Sequence, residues 1–227
     1  MAQRESVIVD GDELSELDGN SQYLYVFVLA ALSNRRVEAC NIRGGLGLQE
    51  CDIPGLETVA KICKGQLIGC TPGSTNASLH PKRISLFPSY TIPFRSRPVI
   101  STTTTLQGLL PCLLFSSNNP SSSLSTGDPI HVQLRGATSA AGIPQIEYIK
   151  HVYLPFLERH FALRPDMRVH TLGFIPRGGG DVRASITPRP GPLQPIMLTR
   201  RGAVTSVAGR AYAAGLPAKF AREMNPK

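Results

Sequence analysis

The sequence predicts a mixed α/β protein in which the order strand–helix–strand–helix–strand–strand occurs roughly twice. Short runs rich in β-branched residues alternate with longer apolar stretches at helical spacing, which is typical of an α/β architecture. The 227 residues include 21 glycines and 19 prolines, which indicates many turns and argues against a simple helical bundle. Hydrophobic residues make up 41% and charged residues 18%, so the chain can bury a core and is not wholly disordered.

In the first half, the strands are predicted from short β-branched runs and the helices from longer apolar ones. Tyr23–Ser33 is predicted as a helix because its length and the basic turn after it favour a helix over a buried strand. Ile53–Cys63 is predicted as an amphipathic helix because its apolar residues recur at helical spacing. The predicted strands here are Ser6–Asp10, Val37–Ile42, Gln66–Gly69 and Asn76–Leu79.

The second half repeats this alternation. Thr102–Phe115 and Pro144–Arg159 are predicted helices, the first in spite of a proline near its end and the second because of its apolar stripe. Between them, Ser116–Asp128 is a polar loop by composition. The predicted strands are an edge strand within Ile84–Arg97, His131–Leu134, and a hairpin of Val169–Gly173 with Asp181–Ile186.

A proline- and glycine-rich linker, Thr187–Leu193, marks a domain boundary in the sequence. We therefore predict one domain over residues 1–187 and the start of a second over residues 188–227. Ile196–Ala208 is predicted to form strands and a turn, and a helix is predicted to begin at Pro217.

Positive charge is concentrated in the last third of the chain. Residues 1–158 carry 12 basic and 13 acidic groups, whereas residues 159–227 carry 12 basic and 3 acidic groups. A basic segment of this kind suits a polyanion such as RNA or a nucleotide. The alternative is a solvated basic face or tail, and the few aromatic residues here do little to favour a stacking platform.

Two further features bear on location. The longest apolar run, Tyr23–Leu32, is too short to span a bilayer as a helix, which needs about 20 residues. The N-terminus is polar and acidic, so we expect a soluble intracellular protein with no membrane partner.

The five cysteines form no CxxC pair, and we interpret them as buried structural thiols.

Two loops could hold ligands by their composition. The turn Pro176–Gly180 could bring backbone N–H groups to a phosphate with Arg177 adding charge, but it lacks the lysine and the spacing of a P-loop, and its composition favours a simple hairpin turn. The acidic loop Asp10–Asp18 could hold a divalent cation through oxygen ligands, or could be a solvated loop. The five histidines show no metal-ligand spacing.

A series of glycine-bearing motifs resembles the RNA 3′-terminal phosphate cyclase family in both order and spacing across nearly the whole chain. The motifs are Gly55-Leu56-Glu57, Gly65-Gln66-Leu67-Ile68-Gly69, Gly73-Ser74-Thr75, Gln107-Gly108-Leu109-Leu110-Pro111, Gly136-Ala137-Thr138, Pro144-Gln145-Ile146-Glu147-Tyr148, Gly173 through Val182, Leu198-Thr199-Arg200-Arg201-Gly202 and Gly209-Arg210. No single motif is diagnostic, but the ordered set is fairly specific.

The resemblance implies a fold and an activity. The fold would consist of repeated βαβαββ units like those of enolpyruvyl transferases, with a small inserted α/β domain that starts near Pro188. The activity would be ATP-dependent conversion of an RNA 3′-phosphate to a 2′,3′-cyclic phosphate, through an adenylylated histidine and with Mg or Mn as cation. The partners would be RNA 3′ ends, and the location the nucleus.

The resemblance also assigns site residues. Glu16 would be the acidic residue of the first motif and a metal ligand, and Gln22 would be its glutamine. Arg43 would be the first of two phosphate-reading arginines, the second being absent, with Cys51-Asp52 in the place of a Gln-His pair. The remaining predicted nucleotide- or RNA-binding residues are Gln107, Arg177, Gly178 and Gly179.

The expected activity of this chain is limited by what it lacks. The nucleophilic histidine of the family lies in a last repeat after the insert, and none of the five histidines here corresponds to it by position. We therefore expect a truncated, partly degenerate member with no catalytic residue and no cyclase activity. The alternative is a non-catalytic RNA-binding protein of ribosome assembly, related to the nucleolar branch of the family and bound to pre-ribosomal particles.

Overall fold

The computed structural model describes residues 6–12, 22–93, 99–116, 127–189, 191–200, 202–207, 209, 211, 213, 215–217 and 219–224. The chain divides into two compact units, Met1–Leu193 and Gln194–Lys227. The predicted loop 116–128 lies largely outside the described residues.

The first half of the larger unit forms a four-stranded sheet covered by two helices. Its elements are β1 (Val7–Asp10), α1 (Gln22–Ser33), β2 (Val37–Cys40), α2 (Ile53–Ile62), β3 (Gln66–Ile68) and β4 (Ala77–His80). The strand order is β1-β2-β4-β3. β1 and β2 are parallel, and β4 is antiparallel to both β2 and β3.

The second half has the same order of elements and the same pattern of pairing. Its elements are β5 (Ser89–Ile92), α3 (Thr102–Phe115), β6 (Ile130–Gly136), α4 (Ile146–Tyr148, Ile149–Tyr153 with π geometry, and Leu154–Phe161), β7 (Asp166–Thr171) and β8 (Gly180–Ile186). The strand order is β5-β6-β8-β7, with β5 parallel to β6 and β8 antiparallel to β6 and β7.

A single apolar core joins the two halves, with α1 packed against both α2 and α3. The three helices pack most closely at Leu24 of α1. A Cβ added to Gly55 of α2 would lie 3.3 Å from Cδ1 of Leu24, and one added to Gly108 of α3 would lie only 2.4 Å from its Cδ2. Along the strands, buried and outward residues alternate, so one face of each sheet is committed to this core. The sequence therefore places small residues where helix axes must approach closely.

The predicted mixed α/β class is confirmed, and most predicted elements occur within a few residues of their expected bounds. The strands predicted in Ile196–Ala208 are wrong, since the described residues of this range have no regular structure. Met197 and Val207 are 86% and 91% exposed, so the apolar residues here lack the packed face that a strand needs. Among its described residues, the smaller unit has one short helix, α5 (Lys219–Glu223). Among the described residues, no helix combines the length and apolar character needed to cross a membrane.

Candidate functional site

The site begins where the loops after β1 and β2 meet. An added Cβ on Gly11 would lie 2.5 Å from the carbonyl oxygen of Asn41, so only glycine allows this approach of the two backbones. Beyond it, an added Cβ on Gly44 would lie 3.2 Å from Oδ1 of Asp12. Because β1 and β2 are parallel, both loops lie at the carboxyl ends of their strands, where α/β sheets commonly bind ligands.

Arg43 is the most firmly held side chain in these loops. Its Nη1 donates to Oδ2 of Asp52 at 2.7 Å and its Nη2 to Oδ1 at 3.1 Å, a bidentate ion pair in which the side chains are only 16% and 5% exposed. Nη1 also donates to the carbonyl oxygen of Gly47 at 3.1 Å. The backbone N–H of Arg43 donates to the hydroxyl of Tyr23 at 2.8 Å, and the guanidinium lies 5.5 Å from the centre of that ring.

Burial and the charge of Asp52 shift the pKa values of Arg43 and of the neighbouring Cys51. Burial alone would lower the pKa of Arg43, but the hydrogen bond and the charge of Asp52 outweigh it, and the pKa is raised above its ordinary value. Burial, followed by the charge of Asp52, raises the pKa of Cys51 to about 11. At neutral pH, Cys51 is therefore a thiol and Arg43 a cation whose carboxylate-binding edge is already occupied.

Beside this pair, the first turns of three helices meet at one small cavity. Its volume of about 30 Å³ suits a single water molecule, and its lining includes Tyr23 of α1, Asp52 and Gly55 at the start of α2, and Thr105 of α3. The N-terminus of a helix carries a partial positive charge. In α3 the backbone N–H groups of Thr102, Thr104 and Thr105 are already bonded to Ala137 and Ser101, so this helix contributes chiefly its partial charge. The convergence of the three helix starts makes this region favourable for an anion such as phosphate.

The first turn of α3 carries a run of hydroxyl groups that are hydrogen-bonded within the protein. The Ser101 hydroxyl caps the helix by accepting from the backbone N–H of Thr104 at 3.2 Å. Thr102 donates to the carbonyl oxygen of Ala137 at 2.9 Å, and Thr105 donates to that of Ser101 at 2.7 Å. The bond from Thr102 ties the start of α3 to the end of β6, and the other two stabilise the first turn itself.

The same backbone path continues to the glycine-rich turn. The Thr138 hydroxyl accepts from the backbone N–H of Gly173 at 3.0 Å, and an added Cβ on Gly173 would lie 2.2 Å from the nitrogen of Gly180. The turn joins β7 to β8 as a hairpin and leaves Arg177 exposed. Gly178 and Gly179 have positive φ values of 67° and 82°, which glycine adopts without strain.

The remaining predicted site residues fall in different places. Gln22 is the first residue of α1, and Gln107 lies in α3 next to the glycine that packs on Leu24; both are half-buried. Glu16 lies outside the described residues. The structure thus brings Arg43 together with the starts of α1, α2 and α3, while no hydrogen bond or ion pair within the described chain joins Arg177 to Arg43.

Sequence reasoning missed three contributors to this site: Tyr23, Thr105, and Asp52 as the partner of Arg43. Asp52 stands immediately before the Ile-Pro start of α2, a pattern typical of a helix N-cap, and this could have drawn attention to it. Nothing in the nine-residue separation from Arg43 indicates an ion pair, since a loop and not a regular element sets their approach.

Comparison with known proteins now decides the family. The family profile described as RNA 3′-terminal phosphate cyclase matches residues 18–215. The chain belongs to the RNA 3′-terminal phosphate cyclase family. Three similar relatives carry that name. The protein from Hyperthermus butylicus is 30% identical over 93% of this chain and 55% of its own length. The Drosophila melanogaster protein is 30% identical over 95% and 56%, and the Methanosarcina mazei protein 31% identical over 75% and 46%. The chain spans about half the length of the curated relatives it matches.

Proposed function

We propose that this chain is an RNA 3′-terminal phosphate cyclase homologue that binds the phosphorylated 3′ end of RNA, together with a nucleotide, at the loops around Arg43. In the family, that end is converted to a 2′,3′-cyclic phosphate in an ATP-dependent reaction. Glu16, Gln22, Gln107 and the Arg177–Gly179 turn are the further proposed contacts.

The observation that carries this proposal is the convergence of three helix N-termini beside a fixed arginine. Phosphate oxygens accept strong hydrogen bonds from backbone N–H groups at helix starts and from guanidinium groups. Thr105 and Tyr23 add hydroxyl groups on the walls of the same cavity. The cavity has room for about one water molecule and none for a phosphate, so we place the phosphate at its mouth.

The chemistry of these residues fits the phosphates of a nucleotide, because backbone N–H groups, hydroxyls and a guanidinium are phosphate ligands. ATP supplies the adenylyl group that activates the RNA phosphate in this family. For a divalent cation the fit is weaker, since no cluster of three His, Cys, Asp or Glu side chains that could hold a metal occurs in the described part of the chain. The cation proposal rests on Glu16 and the family resemblance.

We further propose that the two four-stranded halves are copies of the βαβαββ unit of the enolpyruvyl transferase-like fold. The support is their shared strand order and pairing pattern. The boundary between residues 1–187 and an insert domain beginning at 188 stays a prediction.

A direct binding measurement tests the phosphate site. The ligands are two short fluorescent RNAs that differ only at the end, one with a 3′-phosphate and one with a 3′-hydroxyl. We expect the 3′-phosphate to bind more tightly, and we expect Gln22→Ala and Gln107→Ala to reduce that preference while an exposed Lys61→Ala control leaves it intact. Equal affinity for the two ends would contradict the proposal.

We propose that this 227-residue chain forms no covalent adduct with AMP. The five histidines are described, and none of them lines the cavity beside Arg43: His80 lies on β4, His131 on β6, His170 on β7, and His151 and His160 on α4. Incubation with ATP labelled in its adenosine moiety, followed by denaturing electrophoresis, tests this. A labelled protein band would refute it.

A second candidate function is non-catalytic RNA binding in ribosome assembly, with pre-ribosomal particles as partners and the nucleus as location. It is favoured by the bidentate ion pair between Arg43 and Asp52, because both terminal nitrogens of the guanidinium already donate to the carboxylate and are poorly available to a phosphate. Salt-dependent RNA binding with no preference for a 3′-phosphate and no ATP turnover would favour this candidate over the first.

A further inference from the structure

We infer that the outward face of the second sheet is a separate binding surface for the phosphate backbone of single-stranded RNA. The surface lies on the side of β5, β6, β7 and β8 that faces away from the core, and it forms an open groove of about 720 Å³. The outward residues that line it include Thr91, His131, Gln133, Arg168, His170 and Arg183. This inference goes beyond the proposed function, because it needs neither a 3′-phosphate nor a nucleotide.

The strongest sign of an anionic partner is a pair of like charges set directly opposite each other. Arg168 of β7 and Arg183 of β8 are cross-strand partners, and like charges in that position are destabilising. Both side chains are well exposed, at 79% and 59%. The ion pairs of these arginines are long, with Nε of Arg168 at 3.4 Å from Asp166 and Nε of Arg183 at 3.8 Å from Asp181.

The carboxylates on this face do not balance the arginines. Asp181 is shared, because its Oδ2 accepts from Nε2 of Gln133 at 2.8 Å and lies 3.6 Å from Nε of Arg135, while its Oδ1 faces Arg183. Three arginines thus share two aspartates, with two histidines beside them. The surface is complementary to a chain of phosphates, and its hydroxyl and amide groups can also bond ribose oxygens.

The corresponding face of the first sheet shows that this charge is not a property of the fold. There, one row across the sheet consists of Ile8, Glu38, Ser78 and Ile68, which are register partners from β1 to β3. Ile8 and Ile68 are 69% and 46% exposed, and no arginine occurs on the four described strands. Two sheets of the same order therefore carry different outer faces, and only the second suits a polyanion.

The groove favours contacts to the backbone over stacking of bases. Tyr90 contributes to its lining, but the side chain is only 7% exposed, and no other aromatic ring lines the described groove apart from the imidazoles. Binding at this surface should therefore be largely independent of sequence and sensitive to salt.

The test uses the full 227-residue chain and a fluorescent single-stranded RNA of about 20 nucleotides that ends in a 3′-hydroxyl. Affinity is measured by anisotropy over a series of KCl concentrations for Arg168→Gln/Arg183→Gln. Because this variant removes two cations that would each bind a phosphate, we expect binding about tenfold weaker at low salt. The slope of log affinity against log salt should fall by about 1.4, or roughly 0.7 for each phosphate.

The matched control is Arg35→Gln/Arg36→Gln, which removes the same charge from two exposed arginines in the turn before β2. We expect it to change the affinity less than about twofold. Equal reductions in affinity in the two double variants, or no reduction in the first, would overturn the inference. If the partner at this face is an acidic protein and not RNA, the Arg168→Gln/Arg183→Gln variant should show no reduction in RNA affinity.

A charge-preserving variant separates the binding role of the two arginines from an effect on folding. Arg168→Lys/Arg183→Lys should keep most of the salt dependence, since lysine retains the point charge. The 3′-hydroxyl probe also keeps this inference distinct from the proposed function. Failure of the phosphate site would abolish the preference for a 3′-phosphate, whereas failure of this surface would leave that preference and remove the effect of Arg168 and Arg183.

Discussion

Replacing Asp52 by Asn should release Nη2 of Arg43 and make it available to a phosphate oxygen. The carboxylate of Asp52 accepts from both terminal nitrogens of the guanidinium and also from the backbone N–H of Gln49 at 2.7 Å. The amide oxygen of Asn, in the place of Oδ2, can keep the bonds from both Gln49 and Nη1, while its NH₂ group, in the place of Oδ1, would face Nη2 with donor against donor. Nη2 of Arg43 should therefore turn away from residue 52.

The expected gain in affinity follows from the hydrogen bonds that Arg43 can then make. A charge-assisted hydrogen bond contributes about 1.5–3 kcal/mol, which corresponds to an increase in affinity of about 10- to 100-fold. The cost is a weaker fold. Removing one partner of a buried ion pair costs about 3–5 kcal/mol, but the partial exposure of Arg43 lets water solvate it, and we expect about 2–3 kcal/mol and a fall in Tm of about 5–10 °C.

The assay is anisotropy with the 3′-phosphate and 3′-hydroxyl RNAs, and the expected gain is confined to the 3′-phosphate. The control Glu50→Gln removes the same charge from an exposed neighbour without touching Arg43, and should leave affinity within about twofold. In the double variant Arg43→Gln/Asp52→Asn the gain should vanish. The reasoning is refuted if Asp52→Asn binds no more tightly, or if the gain survives the replacement of Arg43.

Three further predictions concern stability and are checked by urea unfolding. Gly108→Ala should destabilise by about 1–2 kcal/mol, because its Cβ would lie 2.4 Å from Leu24, whereas Gly55→Ala, at 3.3 Å, should be near neutral as the gain in helix propensity offsets slight crowding. Ser101→Ala should cost about 1 kcal/mol through removal of the cap of α3; an unchanged midpoint would count against the cap. Burial raises the pKa of Cys112 from 9.0 to about 12, so the thiol loses its proton at a lower pH in the unfolded chain than in the folded one. The free energy of unfolding should therefore fall between pH 9 and 12, by up to roughly 1.4 kcal/mol per pH unit from this group. Cys112→Ala should flatten that fall, and an identical pH profile would contradict the assignment.

Elements whose signal is local were predictable from the sequence. The helix Thr102–Phe115 has its predicted bounds because a run of hydroxyl residues caps its start and apolar residues fill its body. The strands expected in Ile196–Ala208 failed because β-branched residues indicate a strand only where a neighbour completes the hydrogen bonds and a core covers one face. A single sequence contains the capping and apolar patterns that define a helix, but it does not show whether a neighbouring strand or a core will pack against a segment.

The candidate site divides in the same way. The family resemblance predicts Arg43 as a site residue, but its ion pair with Asp52 depends on the path of the loop between them, in which Arg43 itself takes a positive φ of 52°. Tyr23 and Thr105 line the same cavity because α1 and α3 pack closely at Gly108, and this long-range contact has no local pattern in the sequence.

The two binding surfaces proposed for this chain differ in how their arginines are held, and the difference has a functional consequence. Arg43 is nearly buried, paired in bidentate geometry and fixed by Tyr23, so a phosphate reaching it must displace a carboxylate. Arg168 and Arg183 are exposed and mutually repulsive, so a phosphate relieves an unfavourable contact when it binds. The outer sheet face should therefore bind RNA first and with little selectivity, and discrimination for a phosphorylated end should depend on how readily Asp52 releases Arg43.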